Sequence, residues 1–166
     1  MRRDERDLQF EQFYAAEAAN LQRLGALLVG DRERGSDLAQ EALLRAYGAW
    51  HRITSADPGP YVRRILVNLS RSDARRRVLE RTRARAAAVA VEDHSGRVAE
   101  HLRVAELLQE LPPRRRAALV LRYFEDRSEA EIAQILDRPI GTVKSDIHRA
   151  LAKLRPLVDD SMRERR

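Results

Sequence analysis

Apolar residues recur every three or four positions along most of this sequence and do not alternate with polar residues as they would in a half-buried strand. Aromatic residues make up only 5% of the chain, so a core must be built mainly from Leu, Ile, Val and Ala. That mixture favours helices. The pattern therefore predicts an all-α fold. The first stripe ends at Gly30 and comprises Phe10, Phe13, Tyr14, Leu21, Leu24 and Leu28.

Positive charge is concentrated at the two ends of the chain. Residues 1–77 hold 14 basic and 11 acidic side chains, residues 78–100 hold four of each, and residues 101–166 hold 14 and 11. The net charges are therefore +3, 0 and +3. Because two basic ends flank a neutral middle, we expect a polyanion to be bound at two places. A highly charged surface without a polyanionic partner is the alternative interpretation.

The helical pattern fades in the middle of the chain. Residues 78–97 carry Ala, Arg and Val with little useful periodicity and include the segment "EDHSG". We interpret this segment as a linker. The sequence thus predicts two small helical domains, 8–77 and 98–158, each close to the lower size limit for an independent core.

The predicted second helix has two contrasting faces. It starts near Ser36, as N-cap, and runs to about Trp50. One face is predicted to be buried and comprises Ala39, Ala42, Leu43, Ala46 and Trp50. The opposite face comprises Asp37, Gln40, Glu41 and Leu44. The acidic groups of this face would repel DNA, and the exposed leucine among them is typical of a protein contact. This face therefore indicates contact with a protein, and with a basic one.

The predicted third helix, 61–77, is rich in arginine. Six arginines against Asp73 give it a net charge of +5, enough to attract phosphates without regard to sequence. A solvated arginine face is the alternative. The predicted buried side comprises Tyr61, Val62, Ile65, Leu66 and Leu69. Another face comprises Arg64, Asn68, Arg71 and Arg75, and Asn68 could hydrogen-bond a base edge.

A helix-turn-helix is predicted near the C-terminus. Ser128 and Glu131 form a capping box for its first helix, and Asp137, Arg138 and Pro139 form the turn. On the second helix, about 140–154, the predicted buried stripe is Val143, Ile147, Ala150, Leu151 and Leu154. The outward residues are Gly141, Thr142, Lys144, Ser145, His148, Arg149 and Ala152, with Asp146 at the flank. Small residues, hydroxyls and cations suit a DNA groove, whereas an ordinary helical hairpin is the alternative.

Signatures of other protein classes are missing from the sequence. There is no cysteine, the four histidines lack ligand spacing, and no phosphate loop or nucleophile elbow appears. We expect no catalysis, no metal and no cofactor. No apolar run could span a bilayer, and the N-terminus lacks the hydrophobic stretch of a signal peptide. We expect a cytoplasmic protein without membrane insertion.

In this order, the motifs resemble a bacterial RNA polymerase sigma factor of the extracytoplasmic-function group, in the sigma-70 family. The segment "GDRERGSDLAQEALLRAYGAW" is similar to the part of region two that binds the clamp helices of the polymerase β′ subunit. "PYVRRILVNLSRSDARRR" is similar to the part that opens and reads the minus-ten promoter element. "LPPRRRAALVLRYFEDRSEAEIAQILDRPIGTVKSDIHRALAKLR" is similar to region four, which reads the minus-thirty-five element as duplex.

The resemblance implies partners and residue roles. The partners are core RNA polymerase, through the β′ clamp helices and the β flap, then promoter DNA and an anti-sigma factor. Core binding falls on Asp37, Gln40, Glu41 and Leu44. Minus-ten recognition falls on the loop from Trp50 to Pro60 and on Arg64, Asn68, Arg71 and Arg75. Minus-thirty-five recognition falls on Arg138, Thr142, Lys144, Ser145, His148 and Arg149.

Three positions depart from the family pattern. Asp137 stands where members usually carry glycine, Asp146 stands where many carry arginine, and Asp73 is shifted by one from the usual aspartate. Other functions also fit parts of the sequence. A dimeric helix-turn-helix regulator would use residues 128–154 to bind an operator. In a helical adaptor or RNA-binding protein, the arginines would only cover the surface.

Overall fold

Seven α-helices and one short 3-10 turn make up the computed structural model, which describes residues 3–53, 57–87 and 99–163. No strand occurs in these ranges, which confirms the all-α prediction. None of the described helices is long and apolar enough to cross a membrane. The helices are α1 Arg3–Val29, α2 Arg32–Ala49, α3 Gly59–Ala87, α4 Ala99–Gln109, α5 Pro113–Tyr123, α6 Glu129–Leu136 and α7 Ile140–Arg163, and the 3-10 turn is Trp50–Arg52.

The junction of α1 and α2 lies earlier in the chain than the sequence predicted. Gly30 ends α1 with a φ of 72°, a left-handed conformation that glycine adopts without steric cost. Asp31 follows at once as the N-cap of α2, and its carboxylate accepts a hydrogen bond of 2.8 Å from the Arg34 amide. Ser36 is therefore not the N-cap, because Asp31 already satisfies an orphan donor five residues earlier.

Helices α1 and α2 cross at backbone contact. A Cβ atom built on Gly25 would lie 2.3 Å from the Gly35 carbonyl oxygen, and one on Gly35 would lie 2.2 Å from the Ala26 nitrogen. The two backbones can approach this closely because both positions are glycine, which has no Cβ atom. The predicted buried face of α2 is confirmed, since Ala39, Ala42, Leu43, Ala46 and Trp50 are all at most 6% exposed.

Helix α3 is longer than predicted and buries a partly different face. Val62, Leu66 and Leu69 are buried as expected, but Tyr61 is 39% exposed. Arg63 is instead 2% exposed. The buried face is thus turned toward Arg63, which the carboxylates of Glu17 in α1 and of Glu125 just after α5 neutralise. The helix continues to Ala87, ten residues past the predicted end. Residues 88–98, which include the rest of the predicted linker, lie outside the described part of the chain.

The C-terminal helices follow the sequence signals closely. Pro113 opens α5, and Ser128 and Glu131 form the predicted capping box of α6. Val143, Ile147 and Ala150 are buried on α7, whereas Leu151 is 37% exposed because it lies at the edge of the stripe. Helix α7 also runs through Pro156 to Arg163, well past the predicted end near residue 154.

The two predicted units share one core in this structure. Buried residues of α1 and of α4 to α7 belong to a single hydrophobic cluster, in which Leu28 and Val29 join Leu108 and Leu111. Arg116 of α5 anchors this junction. Its guanidinium donates to the carbonyl of Leu28 at the end of α1 (2.5 Å) and to that of Leu108 at the end of α4 (2.9 Å). A cation thus caps the carbonyl ends of two helices at once.

The glycine crossing predicts the first testable effect. Gly25→Ala should lower the free energy of unfolding by about 3 kcal/mol, because the new methyl group meets backbone rather than a side chain that can rotate away. Gly48→Ala is the matched control. No atom lies within 4 Å of its added Cβ, so it should stabilise the protein by up to about 1 kcal/mol. Urea unfolding followed by circular dichroism measures both, and equal effects would contradict the assigned crossing.

Candidate protein-binding and nucleic-acid surfaces

The outward face of α2 has the exposure predicted for a protein contact. Asp37, Gln40, Glu41 and Leu44 are all exposed, and Leu44 is 71% exposed. Glu41 forms an ion pair of 2.5 Å with Arg45, one turn further along the helix. The face therefore presents one large apolar side chain within an acidic and amide surround.

A groove beside Leu44 extends this face onto α1. Phe10, Tyr14 and Tyr47 line it, and Asp7 and Glu11 add acidic groups. The sequence placed Tyr14 in the buried stripe of α1, but its side chain is 46% exposed. The groove was missed because it is formed by residues of two helices that only the glycine crossing brings together.

Trp50 does not lie on an exposed surface. It is 6% exposed and packs edge-on against Phe10, with ring centroids 5.1 Å apart, and against Phe13 at 5.4 Å. In this conformation the indole is not exposed for the direct DNA contact that the resemblance implies. The ring instead supports, from within the core, the start of the loop that leads to Pro60.

The basic stripe of α3 lies along the seam between the two halves of the chain. Asn68 and Arg75 are exposed, whereas Arg64 and Arg71 are half-buried. Arg64 donates to the carbonyls of Gln134 (2.5 Å) and Ile135 (3.3 Å) in the last turn of α6. Its guanidinium thus caps the negative end of the first helix of the helix-turn-helix.

Several arginines come close together at the same seam. Burial lowers the pKa of Arg71, and the charges of Arg114, Arg75 and Arg138 lower it further. These residues come from α3, from the start of α5 and from the turn before α7. The structure therefore brings part of the predicted minus-ten stripe beside part of the predicted minus-thirty-five surface, and the juxtaposed like charges would be stabilised by an anion.

The predicted recognition residues of α7 lie outside its buried stripe. Lys144, His148 and Arg149 are exposed, and Lys144 forms an ion pair of 3.5 Å with Glu129. Thr142 and Ser145 are half-buried, and the Ser145 hydroxyl donates to the Thr142 carbonyl at 2.9 Å. The helix consequently presents two cationic side chains and an imidazole.

Two aspartates that depart from the family pattern are held by arginines. Asp146, which the sequence placed at the flank of the outward face, is 9% exposed, and its carboxylate lies 3.2 Å from Arg138 and 3.8 Å from Arg115. Asp73 is also buried and pairs with Arg34 and Arg76. A third departure, Asp137, takes the left-handed conformation that glycine would favour, with φ 52° and ψ 57°.

An ion triplet centred on the buried guanidinium of Arg63 joins the halves next to the hydrophobic core. The Arg63 guanidinium lies 2.7 Å from the Glu17 carboxylate and 2.6 Å from that of Glu125. Burial alone would lower the pKa of Arg63, but the charges and hydrogen bonds of Glu125 and Glu17 raise it above its ordinary value. The triplet explains why Glu17 interrupts the apolar stripe of α1.

Arg116 is held at the same junction by neutral acceptors, which are the carbonyl oxygens of Leu28, Leu108, Gln109 and Leu111 and the side-chain oxygen of Gln109. Burial and the charge of Arg77 lower its pKa to about 10, which keeps it cationic at neutral pH. Sequence reasoning missed both Arg63 and Arg116. The sequence signal that could have found them is a charged residue three or four positions from apolar residues on the same helix face, as with Glu17 in the stripe of α1. Among the described residues, no cluster of three or more histidine, aspartate or glutamate side chains could hold a metal ion.

Both halves of this chain match family models of known proteins. Residues 13–79 match the family model described as sigma-70 region 2, and residues 101–154 match the model described as sigma-70, region 4. An RNA polymerase sigma-E factor of Streptomyces avermitilis is 37% identical over 152 residues, which cover 89% of this chain and 84% of that protein. The ECF RNA polymerase sigma factor EcfG of Rhodopseudomonas palustris is 35% identical over 151 residues, covering 86% and 81%.

A solved structure shares the fold across both halves. The sigma factor RpoE of Bartonella quintana, determined in complex with the anti-sigma factor NepR, superposes with a TM-score of 0.75 at 22% sequence identity. The match covers 91% of this chain and 97% of that one. With both sigma-70 regions present in order and close relatives over most of its length, this chain belongs to the extracytoplasmic-function group of RNA polymerase sigma factors, non-catalytic factors that bind core polymerase and direct transcription initiation at promoters.

Proposed function

We propose that three surfaces of this chain divide the work of promoter recognition. The outward face of α2 binds core polymerase, the arginine stripe of α3 binds the minus-ten element, and α7 with its preceding turn binds the minus-thirty-five element. The observation that carries the proposal is the separation of one acidic, leucine-bearing face from two cationic ones on the same chain. The protein would act in the cytoplasm, where its polymerase is.

Core binding is assigned to Asp37, Gln40, Glu41 and Leu44, together with the groove beside them. Exposed Leu44 supplies apolar area that a partner can desolvate, and the acidic surround selects a basic surface. Clamp helices of the β′ subunit would meet this description. The β flap would bind region four. The sigma factor in the similar Bartonella structure is bound by an anti-sigma factor, and we propose a partner of that class for this chain too.

DNA binding is assigned by charge and exposure. Asn68, Arg71 and Arg75 are proposed for the minus-ten element, with Arg64 joining them once it leaves α6, and Trp50 is retained only as a support of the loop. Residues 54–56 of that loop lie outside the described part of the chain. The minus-thirty-five contacts proposed are Arg138, Thr142, Lys144, Ser145, His148 and Arg149.

Promoter binding requires the halves to separate. The two promoter elements lie roughly 25 base pairs apart, or about 80 Å along B-DNA. A compact chain of this length has a radius of gyration of about 15 Å and is about 40 Å across. The closed arrangement cannot reach both elements, and it also holds Arg64 on the carbonyls of α6. We therefore propose that the described structure is a closed state that opens on the polymerase.

Leu44→Asp tests the core-binding face. The substitution should weaken binding to purified core polymerase by about 2 kcal/mol, or roughly thirtyfold in Kd, because an exposed apolar anchor becomes a charge that must be desolvated. Fluorescence anisotropy of labelled sigma factor measures the affinity. Leu79→Asp, at a 51% exposed leucine of α3, is the matched control and should bind as the unaltered chain does. Equal loss in both variants would remove the assignment.

Arg75→Ala tests the α3 stripe. It should weaken promoter binding by the polymerase complex by about 1 to 3 kcal/mol if Arg75 reads a base, and otherwise reduce the salt slope by about 1. Arg76→Ala removes the same charge from the next position, where the side chain pairs with Asp73 and Glu80. Titrations at several salt concentrations compare the two. A larger effect of Arg76→Ala would show that the stripe is wrongly assigned.

The opening step can be measured because the natural chain has no cysteine. Ala15→Cys on α1 and Ala152→Cys on α7, both exposed, accept a donor and an acceptor dye. We expect high energy transfer in the isolated protein and low transfer in the promoter complex. Glu125→Gln should lower transfer in the isolated protein by weakening the bond to Arg63, whereas Asp126→Asn, at the next residue, should not. High transfer in an active promoter complex would disprove opening.

A further inference from the structure

Asp146 is a carboxylate on the proposed recognition helix, where it would be expected to repel DNA. Lys144, Ser145, His148 and Arg149 surround it in the sequence and are all proposed to face the nucleic acid. A solvated carboxylate beside phosphates opposes binding through like-charge repulsion. Asp146 is however only 9% exposed, so its charge is directed into the protein.

Each carboxylate oxygen of Asp146 faces a different arginine. Oδ2 lies 3.2 Å from a terminal nitrogen of Arg138, and Oδ1 lies 3.8 Å from Nε of Arg115. Arg138 belongs to the turn between α6 and α7, and its side chain is 26% exposed. The pair occupies one terminal nitrogen of the Arg138 fork, and a guanidinium has five N–H donors in all. The exposed part of the fork can therefore still bind an anion or a base edge.

We propose that Asp146 is a positioning residue for DNA recognition: it fixes the guanidinium of Arg138 at the start of α7, where that group meets the minus-thirty-five element. The inference rests on the proposed function of α7. A side chain already held in one conformation loses less rotamer entropy on binding. An arginine held by an ion pair therefore binds its target at a smaller entropic cost than a mobile arginine does. Arg115 balances the charge of Asp146 from the other side.

The same arrangement favours selectivity over overall affinity. Asp146 with its two arginines carries a net charge of +1, and removing the carboxylate charge leaves +2. Sequence-independent attraction to phosphates should then rise, while the directed contact of Arg138 is lost. Loss of Asp146 should therefore shift the two kinds of binding in opposite directions. A purely structural role would weaken both together.

Asp146→Asn provides the test, with Asp137→Asn as matched control. Both remove one negative charge near the same turn, but only Asp146 pairs with Arg138. Reconstituted polymerase is titrated with a promoter fragment and with the same fragment carrying a scrambled minus-thirty-five element, and the affinity ratio is recorded. Asp146→Asn should lower the ratio about tenfold while raising affinity for the scrambled fragment. Asp137→Asn should leave the ratio within about twofold.

Arg138→Ala separates failure of the inference from failure of the proposed function. It should lower the ratio by itself, and Asp146→Asn should then add nothing to it. If Arg138→Ala leaves the ratio unchanged, the DNA role proposed for Arg138 is wrong. If it lowers the ratio but Asp146→Asn behaves as Asp137→Asn does, the positioning role alone is overturned.

Arg138→Lys keeps the test available if Asp146→Asn does not fold, as judged by its thermal unfolding. Lysine retains the positive charge but lacks the planar fork that a carboxylate can orient. The ratio should fall nearly as far as with alanine. An unaltered ratio in Arg138→Lys would show that charge, and not a buttressed geometry, is what the site uses, and would overturn the proposal.

Discussion

The buried guanidinium of Arg63 is the interaction on which the joined arrangement of the two halves depends. Glu17 comes from α1, Arg63 from α3, and Glu125 from the residues just after α5, so one cation gathers three parts of the chain. Removing one partner from a buried ion pair costs about 3 to 5 kcal/mol, because a charge is left without compensation. Separating the halves costs less than deleting a partner, because water then solvates the separated charges. The closed state can therefore be stable and still open reversibly.

Attractive and repulsive electrostatic interactions both occur along the seam between the two halves. Arg63 and Arg116 bind the halves through carboxylates and helix carbonyls, whereas Arg71, Arg114 and Arg138 place like charges near one another. Repulsion among those arginines is lost when a polyanion arrives, and phosphates favour their charged forms. The seam thus contains ion pairs and capped helix carbonyls that stabilise the closed protein, together with like charges whose mutual repulsion opposes it.

Helical periodicity predicted the elements and the exposed face of α2 well, because these features are local. The exposed face of α2 and the capping box of α6 depend on residues within a few positions of each other. Arg63 was not predicted to be buried, since its partners lie 46 and 62 residues away in the sequence. The partners of Asp146 were missed for a related reason: helical periodicity indicates the direction in which a side chain projects, but not which residues of other segments lie there.

Arg64 would serve both the closed state and the proposed open state. In the closed protein its guanidinium binds carbonyl oxygens at the end of α6, where the helix dipole supplies about half a negative charge. A DNA phosphate offers a full charge and similar oxygen acceptors, so the exchange replaces a weaker ligand with a stronger one. In the proposed open state, the guanidinium that leaves the seam would bind the promoter. Phosphate binding by Arg64 releases counterions, whereas binding to the α6 carbonyls does not. Raising the salt concentration therefore favours the contact of Arg64 with the α6 carbonyls over its contact with DNA.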